Sequence, residues 1–313
     1  PCGWDFEAVK NHNRGVWNEL LGRLDITAND RGEKIRFYTN LYRAMSGRNM
    51  FSDVNGQWAD PSEQVQQLPG KDDVALGGDA LWNTFWNLNQ LWYLASPEWA
   101  SRWVRSQLAL YRSHGWLAKG GAGMEYIPVM VAEHEIPLMV GAYQMGIRDY
   151  DAELAFEAVV KMQTTVPECY TNPGARKALG GGKAGNQDLE AYLAHNYVPC
   201  DKGKFSNSLE YSYDDWTVGQ FAKALGRDKE YDVFNDRGQW WKNVMEPQSG
   251  YARIKDSSGA WASPFNPTDR GKKMRHYTEG CAWQLTYFVP QDVPALIETI
   301  GRDRFLERLE EGF

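Results

Sequence analysis

An all-α fold is predicted, an incomplete (α/α)6 toroid of helical hairpins behind a leading helix, and three observations carry it. Apolar residues recur at helical spacing through nearly every periodic segment. Short connections alternate with long ones of roughly 20 to 40 residues, a length that is uncommon in compact domains unless the loop works. Roughly ten helices follow the first, about two short of a closed ring of hairpins. The long loops fall on one side of such a ring, which makes that side the working face.

The elements follow in order. A first helix is expected within 4–24, where Phe6, Val9, Val16, Leu20 and Leu21 form a stripe. A second, 30–45, comes after the break at 26–29 and puts Ile35, Tyr38, Leu41 and Tyr42 on one face. The stretch 47–78, rich in Gly, Asp, Pro and Gln, reads as a loop. Helices at 79–95 and 97–113 come next, the latter opened by Pro97 at a first-turn position. Beyond the Gly-rich loop 115–123, helices at 132–145 and 150–165 repeat the pattern. A long loop, 166–206, carries a short helix at 187–194. Helices at 207–225 and 228–244 precede a turn-rich stretch to Arg275, and helices at 278–288, 291–300 and 302–311 close the chain.

Composition excludes several functions. The 313 residues carry 34 basic and 41 acidic side chains, a net charge of −7, which opposes a nucleic-acid partner. Mean hydropathy is −0.59 and no run of 18 apolar residues occurs, so no membrane span is expected. A chain this long buries a core without needing a metal or disulfide to fold. Cys2, Cys169, Cys200 and Cys281 are scattered with no C-x-x-C, so structural zinc is not expected and one or two disulfides stay open. The 14 Trp, 16 Tyr and 12 Phe suit either the apolar faces of sugar rings or a bulky core. Both ends, Pro1-Cys2-Gly3-Trp4 without Met or leader and Glu310-Glu311-Gly312-Phe313, read as cuts through a longer protein.

Familiar motifs fail. Gly180-Gly181-Gly182-Lys183 is followed by Ala184, where a phosphate loop needs Ser or Thr. His134-Glu135 does not begin H-E-x-x-H, since position 138 is Leu, and no G-x-S-x-G elbow occurs. What remains is polar side chains set among aromatics at four places: Phe51-Ser52-Asp53-Val54, Leu81-Trp82-Asn83-Thr84-Phe85, 209–216 and His276-Tyr277-Thr278-Glu279-Gly280. A glycosidase needs one carboxyl as acid, a second as base or nucleophile, and aromatic walls. Plainer roles are also open. Asp214 and Asp215 suit a helix start, Glu210 closes a capping box with Asn207, and Glu279 is a first-turn helical acid.

The run Ser206-Asn207-Ser208-Leu209-Glu210-Tyr211-Ser212-Tyr213-Asp214-Asp215-Trp216 resembles glycoside hydrolase family 92, the calcium-dependent exo-acting α-mannosidases. So do Tyr277-Thr278-Glu279-Gly280-Cys281-Ala282-Trp283-Gln284 and Phe288-Val289-Pro290-Gln291-Asp292-Val293. Phe37-Tyr38-Thr39-Asn40-Leu41-Tyr42, Phe51-Ser52-Asp53-Val54 and Pro264-Phe265-Asn266-Pro267 follow the family's order. The resemblance implies that 1–28 is a linker helix joining an N-terminal β-sandwich, and that 29–313 is a partial (α/α)6 catalytic barrel. It implies Glu279 as general acid, Trp82 and Asn83 at the sugar, calcium as cofactor, and a mannose-containing glycan as substrate, cleaved with inversion. It also implies a secreted or periplasmic protein.

The base and most calcium ligands lie in later family motifs that do not occur here, so the chain alone is expected to be inactive. Family members read S-L-W-D-T-F-R where this chain has Ala80-Leu81-Trp82-Asn83-Thr84-Phe85-Trp86, and Cys281 stands where Asn is usual. Asn83 keeps hydrogen bonding without charge, and Trp86 replaces a cation. The alternatives are a glycan-binding module that has lost catalysis and an enzyme for a different α-glycoside. Glu279 and Trp82 are expected to line one cleft.

Overall fold

The computed structural model describes residues 3–122, 125–126, 130–166, 184–269 and 276–312. It is mostly helical, and the strands described are two-residue or three-residue segments paired in antiparallel ladders. Helix α1, Phe6–Leu21, begins where the Asp5 carboxylate accepts the Glu7 amide at 2.9 Å, and buries no residue. Helix α2, Arg31–Ser46, is capped in the same way by Asp30. The two helices meet through Trp17 and Tyr42, whose rings lie 4.6 Å apart.

The stretch 47–78, expected as loop, is pinned by two ladders. Asn49–Met50 (β1) pairs with Leu76–Gly77 (β4), and Gln57–Ala59 (β2) with Val65–Gln67 (β3). The helix expected at 79–95 forms only in its second half. A 3-10 turn at Thr84–Trp86 leads into α3, Leu88–Ala95. Helix α4, Pro97–His114, has Pro97 in its first turn and stops at Gly115, which takes φ 80. Gly121–Ala122 (β5) pairs with Glu125–Tyr126 (β6).

Helix α5, Glu135–Gln144, is buried on nearly every side, as its apolar run Ile136-Pro137-Leu138-Met139-Val140 requires. Then come α6, Ala152–Thr164, and α7, Leu189–His195. Helix α8, Asn207–Ala224, is the spine, packed by α5, α6 and α9, Asp228–Arg237. Its Val218 and Phe221 enter one hydrophobic cluster with Trp103 and Met139, while Leu209 enters another with Trp241 and Tyr277. Each such burial contributes about 1.5–3 kcal/mol, and Phe221→Ala would cost about 3–5.

The last segment departs most from expectation. Met245–Glu246 (β7) pairs with Tyr251–Ala252 (β8). The helix expected at 278–288 shrinks to Ala282–Leu285 (α10), so Glu279 sits in a turn rather than in a helical first turn. Val293–Ile300 (α11) and Arg302–Gly312 (α12) follow as expected. No helix among the described residues is long and apolar enough to cross a membrane. Gly180–Gly182, Cys2 and Cys169 lie outside the described residues.

Candidate active site

Three segments assemble one cleft. The first is the turn at 79–83. Buried Asp79 accepts the Leu81 amide at 2.9 Å and the Thr84 hydroxyl at 2.9 and 3.0 Å. Arg48 clamps the same carboxylate through Nε at 2.8 Å. These local bonds outcompete the helical ladder and hold Leu81 at φ 58, so Trp82 and Asn83 are presented from a fixed turn.

The second segment is the first half of α8. Glu210 is not part of a capping box. Its Oε1 accepts the Trp82 indole N–H at 3.2 Å, and its Oε2 lies 2.8 Å from Nε2 of His134. Four residues on and therefore on the same face, Asp214 meets the other ring nitrogen, Nδ1, at 3.1 Å, and accepts the Glu133 amide at 2.9 Å. Asp215 turns away to Arg237, at 2.7 and 3.0 Å, and to the Tyr192 hydroxyl at 2.8 Å. Asn207 serves α7 and α8 instead of a cap, donating to Asp188 at 2.8 Å.

The third segment, 276–280, is bolted to the start of α8. The Ser206 amide donates to the His276 carbonyl at 2.9 Å, and the Thr278 amide to the Ser206 hydroxyl at 3.0 Å. The Tyr277 hydroxyl donates to the Ala252 carbonyl at 2.7 Å. Between these anchors Glu279 is exposed, with φ 52. Leu81, Ala132 (φ 55) and Glu279 all hold left-handed backbone in the segments that build the site. Each costs of order 1–3 kcal/mol and is kept only where its surroundings impose it.

The cleft has a volume of about 390 Å³ and is lined by Trp82, Asn83, Trp86, Glu210, Glu279 and Phe288 among others. That size lies within the range of small-molecule sites. Behind its aromatic wall, where Trp86 meets Phe288 edge-on at 5.4 Å, Phe85 lies 4.8 Å from Trp86 and 4.2 Å from His134. Among the described residues other clefts are larger, at about 440 and 470 Å³, but their chemistry is spent or absent. The acid in the one beside Trp58 is Asp151, which caps α6 and pairs with Arg112. The one between α1 and α3 is lined by no carboxylate.

Beneath the cleft the charges are compensated. Burial alone would lower the His134 imidazole, but Asp214 and Glu210 outweigh it and push the ring up to about 10. Burial raises the Asp214 carboxyl against the pull of His134 and the Glu133 amide. Lys119 pairs with Glu133 at 2.9 Å, and burial followed by the Glu133 charge pushes Glu135 well above the carboxylate range.

The three expected site residues, Glu279, Trp82 and Asn83, thus share one cleft. Glu210, one of the acids set among aromatics in 209–216, lines the cleft with them, and the unforeseen His134 lies behind Glu210. His134 stands between two glutamates in the sequence, a signal weighed there only as a zinc motif. Phe51-Ser52-Asp53-Val54 lies elsewhere, in the β1–β2 turn, where the Ser52 hydroxyl accepts the Ala75 amide. Among the described residues no group of three or more His, Cys, Asp or Glu is arranged to hold a metal ion.

The glycosyl hydrolase family 92 catalytic domain matches residues 1–313. A family GH92 α-mannosidase from Bacteroides thetaiotaomicron superposes with a TM-score of 0.86 at 28% identity, over 99% of this chain and 39% of that one. A family GH92 inverting mannosidase from the same organism gives 0.87 at 25% identity, over 98% and 40%. An uncharacterized secreted glycosidase of Arthroderma benhamiae is 24% identical over 98% of this chain and 38% of its own length. The chain spans about two fifths of the length of these relatives.

Proposed function

The chain belongs to glycosyl hydrolase family 92, and from that premise we propose that it forms part of a secreted or periplasmic exo-α-mannosidase that releases terminal α-mannose from glycans with inversion. The observation that carries this reading is the meeting of Glu279 with Trp82 and Asn83 in one aromatic-walled cleft. In the proposed mechanism Glu279, on its exposed turn, protonates the glycosidic oxygen as the bond to the anomeric carbon breaks. The Trp82 indole covers the apolar face of the terminal sugar, Asn83 exchanges hydrogen bonds with its hydroxyls, and Glu210 accepts from them.

Inversion needs a second carboxyl across the sugar, roughly 6.5–9.5 Å from the first, to activate water. Glu210 is not that base, because both its oxygens are already engaged by Trp82 and His134. We place the base and most calcium ligands in the part of the relatives' length that this chain does not span, so that the 313-residue chain alone releases no mannose and gains little stability from added Ca²⁺. The same reading takes 1–28 as a linker helix and 29–313 as part of an (α/α)6 barrel.

The rival reading, a glycan-binding module without chemistry, draws on Asn83, which brings no charge to the sugar. One assay separates the two. Mannose release from α-mannosides is followed for the full-length gene product and for its Glu279→Gln variant. The hydrolase reading expects release that the substitution abolishes. Binding without release in the wild type, or undiminished release by the variant, overturns it.

A further inference from the structure

We propose that His134 is a positioning residue of the cleft, a buried ring with a fixed positive charge that holds Glu210 as a hydrogen-bond acceptor beside Trp82. The proposal rests on the glycan reading only for what enters the cleft, since the charge on the ring follows from its surroundings.

Both ring nitrogens face carboxylate oxygens, Nε2 to Glu210 at 2.8 Å and Nδ1 to Asp214 at 3.1 Å. A neutral imidazole has one donor and one acceptor, so it would force a proton onto one of those carboxyls. Their other oxygens argue for the ionised form of both. Glu210 Oε1 already accepts from the Trp82 indole, and Asp214 Oδ2 from the Glu133 amide. Phe85 lies parallel to the imidazole, 4.2 Å away at 26°, presenting the electron-rich face that favours a cation.

The remaining neighbours do not cancel the effect. From α8, besides the two carboxylates, comes the Tyr213 ring at 6.2 Å. From the segment of His134 itself come Glu133, paired with Lys119, and Glu135, whose carboxyl burial and then the Glu133 charge push well above the usual range. Phe288, at 6.0 Å, adds no charge. The ring is 1% exposed and Glu210 3%, yet Glu210 lines the cleft. His134 therefore acts on whatever occupies the cleft through Glu210, without touching it. Loss of the cation leaves the buried Glu210 carboxyl with the Trp82 indole as its one remaining fixed donor among the described residues.

Two measurements test this. In the ¹⁵N-histidine-labelled chain, both His134 nitrogens should remain in the N–H form at about pH 8.5, and Glu210→Gln should lower the ring's titration midpoint by about one pH unit or more. A neutral ring at that pH, or an unmoved midpoint in Glu210→Gln, overturns the proposal even if His134 variants fail to fold. In the full-length protein, the KM for p-nitrophenyl α-mannoside should be nearly flat from about pH 5.5 to 8.5. In His134→Gln it should rise about tenfold across that range, because Glu210 loses the charged donor that holds its Oε2. A variant whose KM follows the wild type across that range overturns the positioning role. If the wild type neither binds nor cleaves any mannoside, the glycan reading falls, while the nitrogen spectra still decide the charge on His134.

Discussion

Two acidic regions meet at the cleft, and they are built in opposite ways. The acids of α8 lie in the core with every carboxylate engaged: Glu210 and Asp214 by His134, Asp215 by Arg237 and Tyr192. Glu279 stands on an exposed turn with left-handed backbone, anchored only through its neighbours. Yet in sequence both are acids among aromatics. The difference teaches that local composition marks where a site is, whereas the partners decide whether an acid supports the site or reacts in it. An acid with two fixed donors keeps its charge and its place. An acid without them is free to meet whatever enters the cleft.

The largest expected effect breaks this comparison most directly. Glu279→Gln should lower kcat for α-mannosides by about 10² to 10⁴, the contribution typical of a general acid, with KM little changed. Its urea midpoint should match the wild type, since an exposed side chain is replaced by its isostere. Substrates whose leaving group needs no proton should lose much less. A uniform loss across leaving groups would show that Glu279 does not donate the proton.

Asp214→Asn is the mirror experiment. It leaves the buried His134 cation with half its compensation, a change that typically costs about 3–5 kcal/mol. Urea unfolding should show that loss. A stability within about 0.5 kcal/mol of the wild type would mean that the α8 acids are no more structural than Glu279.

How much of this was legible beforehand follows from the range of each interaction. The i, i+4 spacing of Glu210 and Asp214 places them on one face from sequence alone, and the T-E-G and L-W-N-T-F runs do meet in one cleft. Their shared partner His134 lies 76 residues before Glu210, a separation that no local pattern encodes. The same limit explains the helix misplaced at 79–83. Its apolar spacing is helical, but Arg48, 31 residues earlier, stabilises the Asp79 turn instead. The helix expected at 278–288 failed because Glu279 takes a backbone conformation that only the anchors at Ser206 and Ala252 impose.

A smaller effect concerns pH. The His134 ring is raised from 6.5 to about 10 in the folded protein. Its contribution to stability is therefore fully present below about pH 6.5 and is lost as pH rises toward 10. Urea midpoints should fall across that window in the wild type. They should fall less in Asp214→Asn, which lacks the main group raising the ring. Parallel slopes in the two proteins would remove the imidazolium from the account of α8.

The smallest effect tests the cleft where the two regions touch. Asn83 is exposed and shares the cavity with Glu210 and Glu279. Asn83→Asp exchanges a neutral amide for a carboxylate at a position where no described side chain depends on it, so stability should change by less than about 0.5 kcal/mol. A hydrogen bond to a charged group is worth about 1 kcal/mol more than one to a neutral group. If Asn83 touches the sugar, the substitution should change kcat/KM for α-mannosides by about fivefold, in the direction of tighter binding. It also puts a third carboxyl into a cleft of about 390 Å³, so repulsion from Glu210 and Glu279 should make the gain smallest in low salt, where charges are least screened. An unchanged kcat/KM across several mannosides would show that Asn83 faces water and that the sugar is held by Trp82 and Glu210 without it.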